Sequence, residues 1–121
     1  MKTKEEIMDI IRHSTGTESY HKFSPLSGYP VITDGVKALE EAAELRWMLE
    51  KIGEFQLKSN LLDPKFQVWR LLPKKGVLRG YNGTVRKVSE KVETDFPSDE
   101  LRLYLVDGVL MLTSEFSEVV K

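Results

Sequence analysis

The sequence predicts an α+β fold: an N-terminal helix and one long central helix packed on an antiparallel β-meander of about four to five strands, in a single domain over residues 1–121. Three observations predict it. Before residue 60 the apolar residues recur at three- and four-residue spacing behind a capping box. After Pro64 they alternate with period two, and Asn82-Gly83 and Asp107-Gly108 sit between apolar runs where two-residue hairpin turns belong. Helices first and strands after is the α+β order.

The first helix starts at Thr3, whose side chain and that of Glu6 can each satisfy a free backbone N–H of the first turn. Ile7, Met8, Ile10 and Ile11 follow at helical spacing, and Gly16 is the expected stop. Residues 14–33 form a long connection with Pro25, Gly28 and Pro30, a length that folds over a core or serves a function. The long helix is expected from Thr33 or Asp34 as N-cap to about Leu57. Leu39, Ala42, Leu45, Met48, Leu49, Ile52 and Phe55 share its broad stripe, while Val36, Ala43 and Trp47 fall near the polar edge. It is therefore apolar on more than one face.

Phe66 to Leu72 reads as a strand ended by Pro73, and Val77 to Tyr81 leads into the first tight turn. Thr84 to Val92 is the returning strand, although Val85, Val88 and Val92 are spaced three and four apart, as in a helix. Leu101, Leu103 and Leu105 alternate with Arg102, Tyr104 and Val106, and the second turn leads into Val109 to Leu112. Residues 114–120 are expected to add a short terminal helix. Trp47 and Trp69 are expected in the core.

Composition narrows the function classes. At 40% hydrophobic and 31% charged, the chain is globular in type. No apolar run nears the roughly 20 residues of a membrane span, and no signal-peptide pattern opens the sequence. With no cysteine, disulfides, thiolate metal sites and a cysteine nucleophile are excluded. A soluble cytoplasmic protein is the expectation.

Both histidines lie in the segment His13 to Lys22. Tyr20 and His21 there make a candidate ligand loop: His21 could serve as a base with Asp34, Glu18 or His13 beside it, or simply hydrogen-bond the loop. A metal set would need Asp34, Glu18 or a distant carboxylate beside two histidines eight apart, so none is expected. Thr33-Asp34-Gly35 reads as a helix start before it reads as a reactive carboxylate. Gly76, Gly80 and Gly83 lack the context of a phosphate loop.

Charge is the stronger lead. From Lys74 to Lys91 six cations (Lys74, Lys75, Arg79, Arg86, Lys87, Lys91) face one acid, while from Glu93 to Lys121 seven acids face two cations. A basic hairpin carrying Tyr81 could follow phosphates with its ring on a base, dock on an acidic protein, or guard a sheet edge with lysines. The near-neutral total of −1 gives the nucleic-acid reading no global support.

Thr15-Gly16-Thr17-Glu18-Ser19-Tyr20-His21, Thr33-Asp34-Gly35-Val36, Trp47, Phe66-Gln67-Val68-Trp69, Thr94-Asp95-Phe96-Pro97 and Leu103-Tyr104-Leu105-Val106-Asp107-Gly108-Val109-Leu110 occur in that order. Over residues 13–115 the chain resembles an uncharacterised family of small bacterial proteins common on phages, plasmids and other mobile elements. Thr113 departs from the pattern, which has proline there. The resemblance implies a mobile-element setting, brings no established activity and gives no catalytic residues to carry over.

The expectation is thus a small, non-enzymatic macromolecule-binding protein of a mobile element, with no cofactor and no metal. Its partner would be a protein, with inhibition of a host or defence protein, the anti-CRISPR type included, as one form. Partner-binding residues would be Lys74, Lys75, Arg79, Tyr81, Arg86, Lys87 and Lys91. Two alternatives stand beside it: nucleic-acid binding by the hairpin 74–91, and a small hydrolase-like enzyme using His21 and Asp34. A homodimer is left open, and no membrane contact is expected.

Overall fold

The computed structural model describes residues 1–13, 19–24, 29–58 and 60–116. Its first helix, α1 (Lys4–His13), is opened by the expected box: the Glu6 backbone N–H donates to Thr3 Oγ1 at 3.2 Å, and the Thr3 backbone N–H donates to Glu6 Oε1 at 3.4 Å. Gly16, the expected stop, lies outside the described residues.

The connection expected to be irregular contains two three-residue strands, β1 (Tyr20–Lys22) and β2 (Val31–Thr33). Each is too short to show an alternation in the sequence. The long helix is two helices, α2 (Asp34–Ala43) and α3 (Arg46–Lys58). Thr33 is the N-cap of α2, accepting from the Val36 N–H at 3.2 Å. Glu44 ends that helix in the left-handed region at φ 54, which costs an L-residue about 1–2 kcal/mol. The break resolves the helix that looked apolar on two sides, because each half aims its own stripe inward: Val36, Leu39, Ala42 and Ala43 in α2, and Met48, Leu49 and Ile52 in α3. Arg46 spans the break, donating to Glu40 Oε1 at 3.1 Å and to the Phe23 carbonyl.

The remaining strands are β3 (Phe66–Leu72), β4 (Val77–Asn82), β5 (Val85–Lys91), β6 (Leu101–Val106) and β7 (Val109–Leu112). The sheet therefore has seven strands, in the order β1-β2-β7-β6-β3-β4-β5, rather than four to five. It is mixed, since β2 runs parallel to β7. Nor is it a meander: β6 pairs with β3, not with its predecessor β5. Burial explains that order. Leu101, Leu103 and Leu105 are at most 2% exposed and need a central position, whereas β5 is exposed or half-buried throughout and suits an edge. The link 92–100 carries the chain across three strand spacings, about 14 Å, and buries Phe96 on the way.

The helix-like spacing in β5 also has a local cause. The β4–β5 register slips at Gly80/Tyr81, so Gly80 pairs with Val88 while Tyr81 pairs with Arg86, leaving Lys87 as the extra residue of a bulge. Val85 and Val88 thus share a face despite their three-residue spacing, and Val92 follows by ordinary alternation. Gly80 makes the close approach possible, since a Cβ there would lie 2.7 Å from the Trp69 ring and 2.8 Å from Val88.

The α-helices of the described residues, α1, α2 and α3, lie on one face of the sheet. Ile7, Leu39, Met48, Leu49 and Ile52 join Trp69, Leu71, Leu78, Leu103, Leu105 and Leu110 in one buried cluster. Trp69 is fully buried; Trp47 is half-buried at the cluster's edge. Thr33, Gln67 and Glu115 are buried polar residues, and Gln67 lies beside Trp69. Gln67 and Gln56 exchange amide hydrogen bonds at 2.8 Å in both directions, and Trp69 Nε1 donates to Gln67 Oε1 at 2.9 Å. The chain ends its described part in a 3-10 turn, Thr113–Glu115, and most of the expected terminal helix lies outside the described residues.

Candidate binding face of the sheet

Alternation in a strand sends successive side chains to opposite faces. Since Trp69, Leu71, Leu78 and Leu103 face the helices, Phe66, Val68, Arg70, Arg79, Tyr81, Arg102 and Tyr104 must face the other way. The registers put them in rows. Arg102 on β6 pairs with Arg70 on β3, and Arg70 pairs with Arg79 on β4. In the adjacent row Tyr104 pairs with Val68, Val68 with Tyr81, and Tyr81 with Arg86. Phe66 opens the next row, opposite Val106.

Three arginines abreast on neighbouring strands sit within about 10 Å, at one strand spacing from each other. Like charges placed directly opposite destabilise a sheet. Glu100 is the acid that answers them. It accepts from Arg70 at 2.5 Å and from Arg102 at 3.0 and 2.9 Å through Nε and Nη2. The Arg70 hydrogen bond is the first reason the Glu100 carboxyl stays below its usual range, and that same bond raises Arg70. Even so, the buried Nε atoms of Arg70 and Arg79 have no acceptor among the described residues. Arg70 also lies over the Tyr81 ring, 5.7 Å from its centroid, and donates to its hydroxyl at 3.3 Å. Burial would push the Tyr81 phenol up, but hydrogen bonds from Arg70 and Arg79, with their charges, bring it below its ordinary value.

At the other end of the face the rings cluster. Phe66, Tyr104 and Phe116 lie 4.9–5.6 Å apart, centroid to centroid, and Met111, which pairs with Tyr104 across β6 and β7, is fully buried. Between this corner and the arginine row the surface is a shallow depression of about 410 Å³ lined by Phe66, Val68, Arg70, Tyr81, Arg102 and Tyr104, among others.

The hairpin residues named from the sequence divide between places. Arg79, Tyr81 and Arg86 lie on this face, with Lys91 at its end opposite Val77. Lys87 is the bulge residue. Lys74 and Lys75 belong to the β3–β4 turn, remote from the Asn82-Gly83 turn, and Lys74 is paired with Asp99 at 2.9 Å. That hydrogen bond from Lys74 lowers Asp99. The separation of charge along the sequence is thus partly cancelled in the fold: β6 lies beside β3, so the acids just before β6 meet Lys74 and Arg70. Arg70, Arg102, Tyr104 and Phe66 were missed in the sequence because their partners across the sheet are distant in the chain, as Tyr81 and Glu100 are from Arg70, 11 and 30 residues away. The signal that could have found them is a pair of arginines at solvent positions of two apolar strands.

Tyr20 and His21 are elsewhere. Tyr20 is 54% exposed on the edge strand β1. His21 Nε2 lies 2.6 Å from Asp34 Oδ1, and the Ser19 hydroxyl donates to the same oxygen at 3.1 Å and lies 3.5 Å from the same imidazole nitrogen. A relay would need aspartate and serine on opposite imidazole nitrogens. Here Ser19 and His21 both meet one oxygen of Asp34, which ties β1 to the first turn of α2. Among the described residues no group of three or more metal-binding side chains comes together, and no helix is long and apolar enough to cross a membrane.

Residues 5–116 match DUF6876, a family of unknown function. The chain belongs to that family. DUF6876 carries no assigned activity, so it transfers no site residue to this member. No curated protein and no solved structure matches the chain.

Proposed function

We propose that this DUF6876 member is a non-enzymatic macromolecule-binding protein and that its recognition surface is the open face of the sheet, which takes an anionic partner. The observation that carries this reading is the row Arg102, Arg70 and Arg79 on three adjacent strands with Glu100 as its acid. Such a row is unfavourable in isolation, and the fold gains nothing from it that a mixed-charge row would not supply. A partner with closely spaced negative charges compensates it. The Ser19–Asp34–His21 group is, in this reading, a structural tie. Inhibition of a host or defence protein, the anti-CRISPR type included, belongs to the same proposal and draws on the mobile-element resemblance alone.

The test compares two variants in affinity capture from a bacterial lysate. Arg79→Glu/Arg102→Glu is expected to lose the partner that the wild-type protein retains, and His21→Ala to retain it. Equal retention by both variants would remove the open face as the recognition surface. Loss in His21→Ala alone would return attention to the loop.

A further inference from the structure

We infer that the open face binds a single strand of nucleic acid, with bases stacked on Tyr81 and Tyr104 and phosphates held by Arg79, Arg86 and Arg102. The inference rests on the face being the recognition surface and adds the chemistry of its occupant. An acidic protein and a polynucleotide both answer a positive row, so the decision falls to the neighbouring row. There Tyr104 and Tyr81 flank Val68 on adjacent strands, with Arg86 next in line. The two rings lie two strand spacings apart, about 10 Å, and both are part-exposed rather than packed under a helix. Aromatic rings on an open sheet beside arginines suit unpaired bases, whose planar faces stack while the backbone lies along the cations.

Three further features favour a single strand over a duplex and over a carboxylate-rich peptide. The surface is a shallow depression on a sheet, and among the described residues no helix or protruding hairpin is placed to enter a groove. Tyr81 is already held by Arg70, whose guanidinium lies 5.7 Å from its centroid and donates to its hydroxyl, so a ring is fixed beside a cation. The face is also bounded: the Phe66, Tyr104 and Phe116 rings pack together at one corner, and the Lys74–Asp99 pair lies at the turn that closes the other end of β3. The bound segment is therefore a few nucleotides long.

The experiment is fluorescence anisotropy with labelled oligothymidylate and oligouridylate, beside a duplex of the same length and a poly-glutamate peptide. Single strands are expected to bind, more tightly than the duplex or the peptide, and their affinity should fall with salt at about 0.7 log units per log of salt for each phosphate contacted. Tyr104→Leu should weaken binding about 5- to 100-fold, the loss of one stacked base. Because Tyr104 also packs on Phe66, the exposed Arg86→Glu, which disturbs no packing, gives an independent variant with an expected loss of at least about 10-fold. A preference of the thymidylate or uridylate probe for one sugar would assign the strand as DNA or RNA. Equal binding of poly-glutamate and oligonucleotide, or an unchanged affinity in Tyr104→Leu, would overturn the inference. Should no oligonucleotide bind while lysate capture still depends on Arg79 and Arg102, the inference falls and the open-face reading stands. Loss of that dependence as well would bring down both.

Discussion

Arg70 lies between two other arginines of its row, and it shares one carboxylate, Glu100, with Arg102. Glu100 accepts from Arg70 and Arg102 and stays below its usual carboxylate range, first through the Arg70 hydrogen bond and further through the charge and hydrogen bond of Arg102. Its pKa is lower in the folded chain than in the unfolded one, so the unfolded chain binds more protons as the medium becomes acidic. The stability it contributes is complete above the ordinary glutamate value of 4.5 and is lost as pH falls through the depressed folded value. Glu100→Gln is therefore expected to cost about 1–2 kcal/mol near neutral pH, because the Arg70 and Arg102 guanidinium groups lose the charge of the acceptor they share. In acid the difference between variant and wild type should shrink, since the wild-type carboxyl is then protonated as well. Urea midpoints at the two pH values measure it. An equal difference at both would mean that the pair contributes through packing rather than charge. None of this was legible in the sequence, where Glu100 sits thirty positions from Arg70 in a run of acids.

The elements repeat that lesson at a larger scale. What was legible is what local chemistry decides: the Thr3–Glu6 capping box, the Thr33 cap, the strands after Pro64 and both Xaa-Gly turns are where the residues place them. What was not legible depends on distant residues. Two strands of three residues form because β2 finds the edge of β7, and no three-residue pattern can announce that. The helix break was visible only as an inconsistency, an apolar set too wide for one stripe. It supplies a prediction in which one helix and two helices give opposite signs. In a continuous helix, glycine at position 44 would cost about 1 kcal/mol. With Glu44 at φ 54, Glu44→Gly instead relieves a left-handed residue and is expected to stabilise the protein by up to about 1 kcal/mol. Glu44→Val should do the reverse, since a branched side chain suits that conformation less well than glutamate. The order of thermal midpoints, glycine above glutamate above valine, tests the break directly. Valine at or above wild type would restore the single helix.

For the whole molecule, the formal charge of −1 conceals where positive potential survives folding. In the sequence the cations form one basic hairpin, and Lys74 and Lys75 count as much as Arg79 and Arg86. The fold separates them: Lys74 meets Asp99 at the β3–β4 turn, while Arg79 and Arg86 join Arg70 and Arg102 from outside the hairpin. The two views differ in what charge reversal does. If the hairpin acts as a basic ribbon, Lys74→Glu/Lys75→Glu should weaken oligonucleotide binding as strongly as Arg79→Glu/Arg102→Glu, each pair changing the net charge equally. If the open face acts, the lysine pair lies at its margin with one member already neutralised, and beyond about 10 Å its field is screened at ordinary salt. The expected result is a change of less than about 3-fold for the lysine pair and at least about 10-fold for the arginine pair, which loses two direct phosphate contacts. The salt slope separates the two effects: it should flatten only in the arginine variant, because only there are contacted phosphates lost rather than distant charge. Equal losses and equal slopes would return the binding site to the hairpin as a whole.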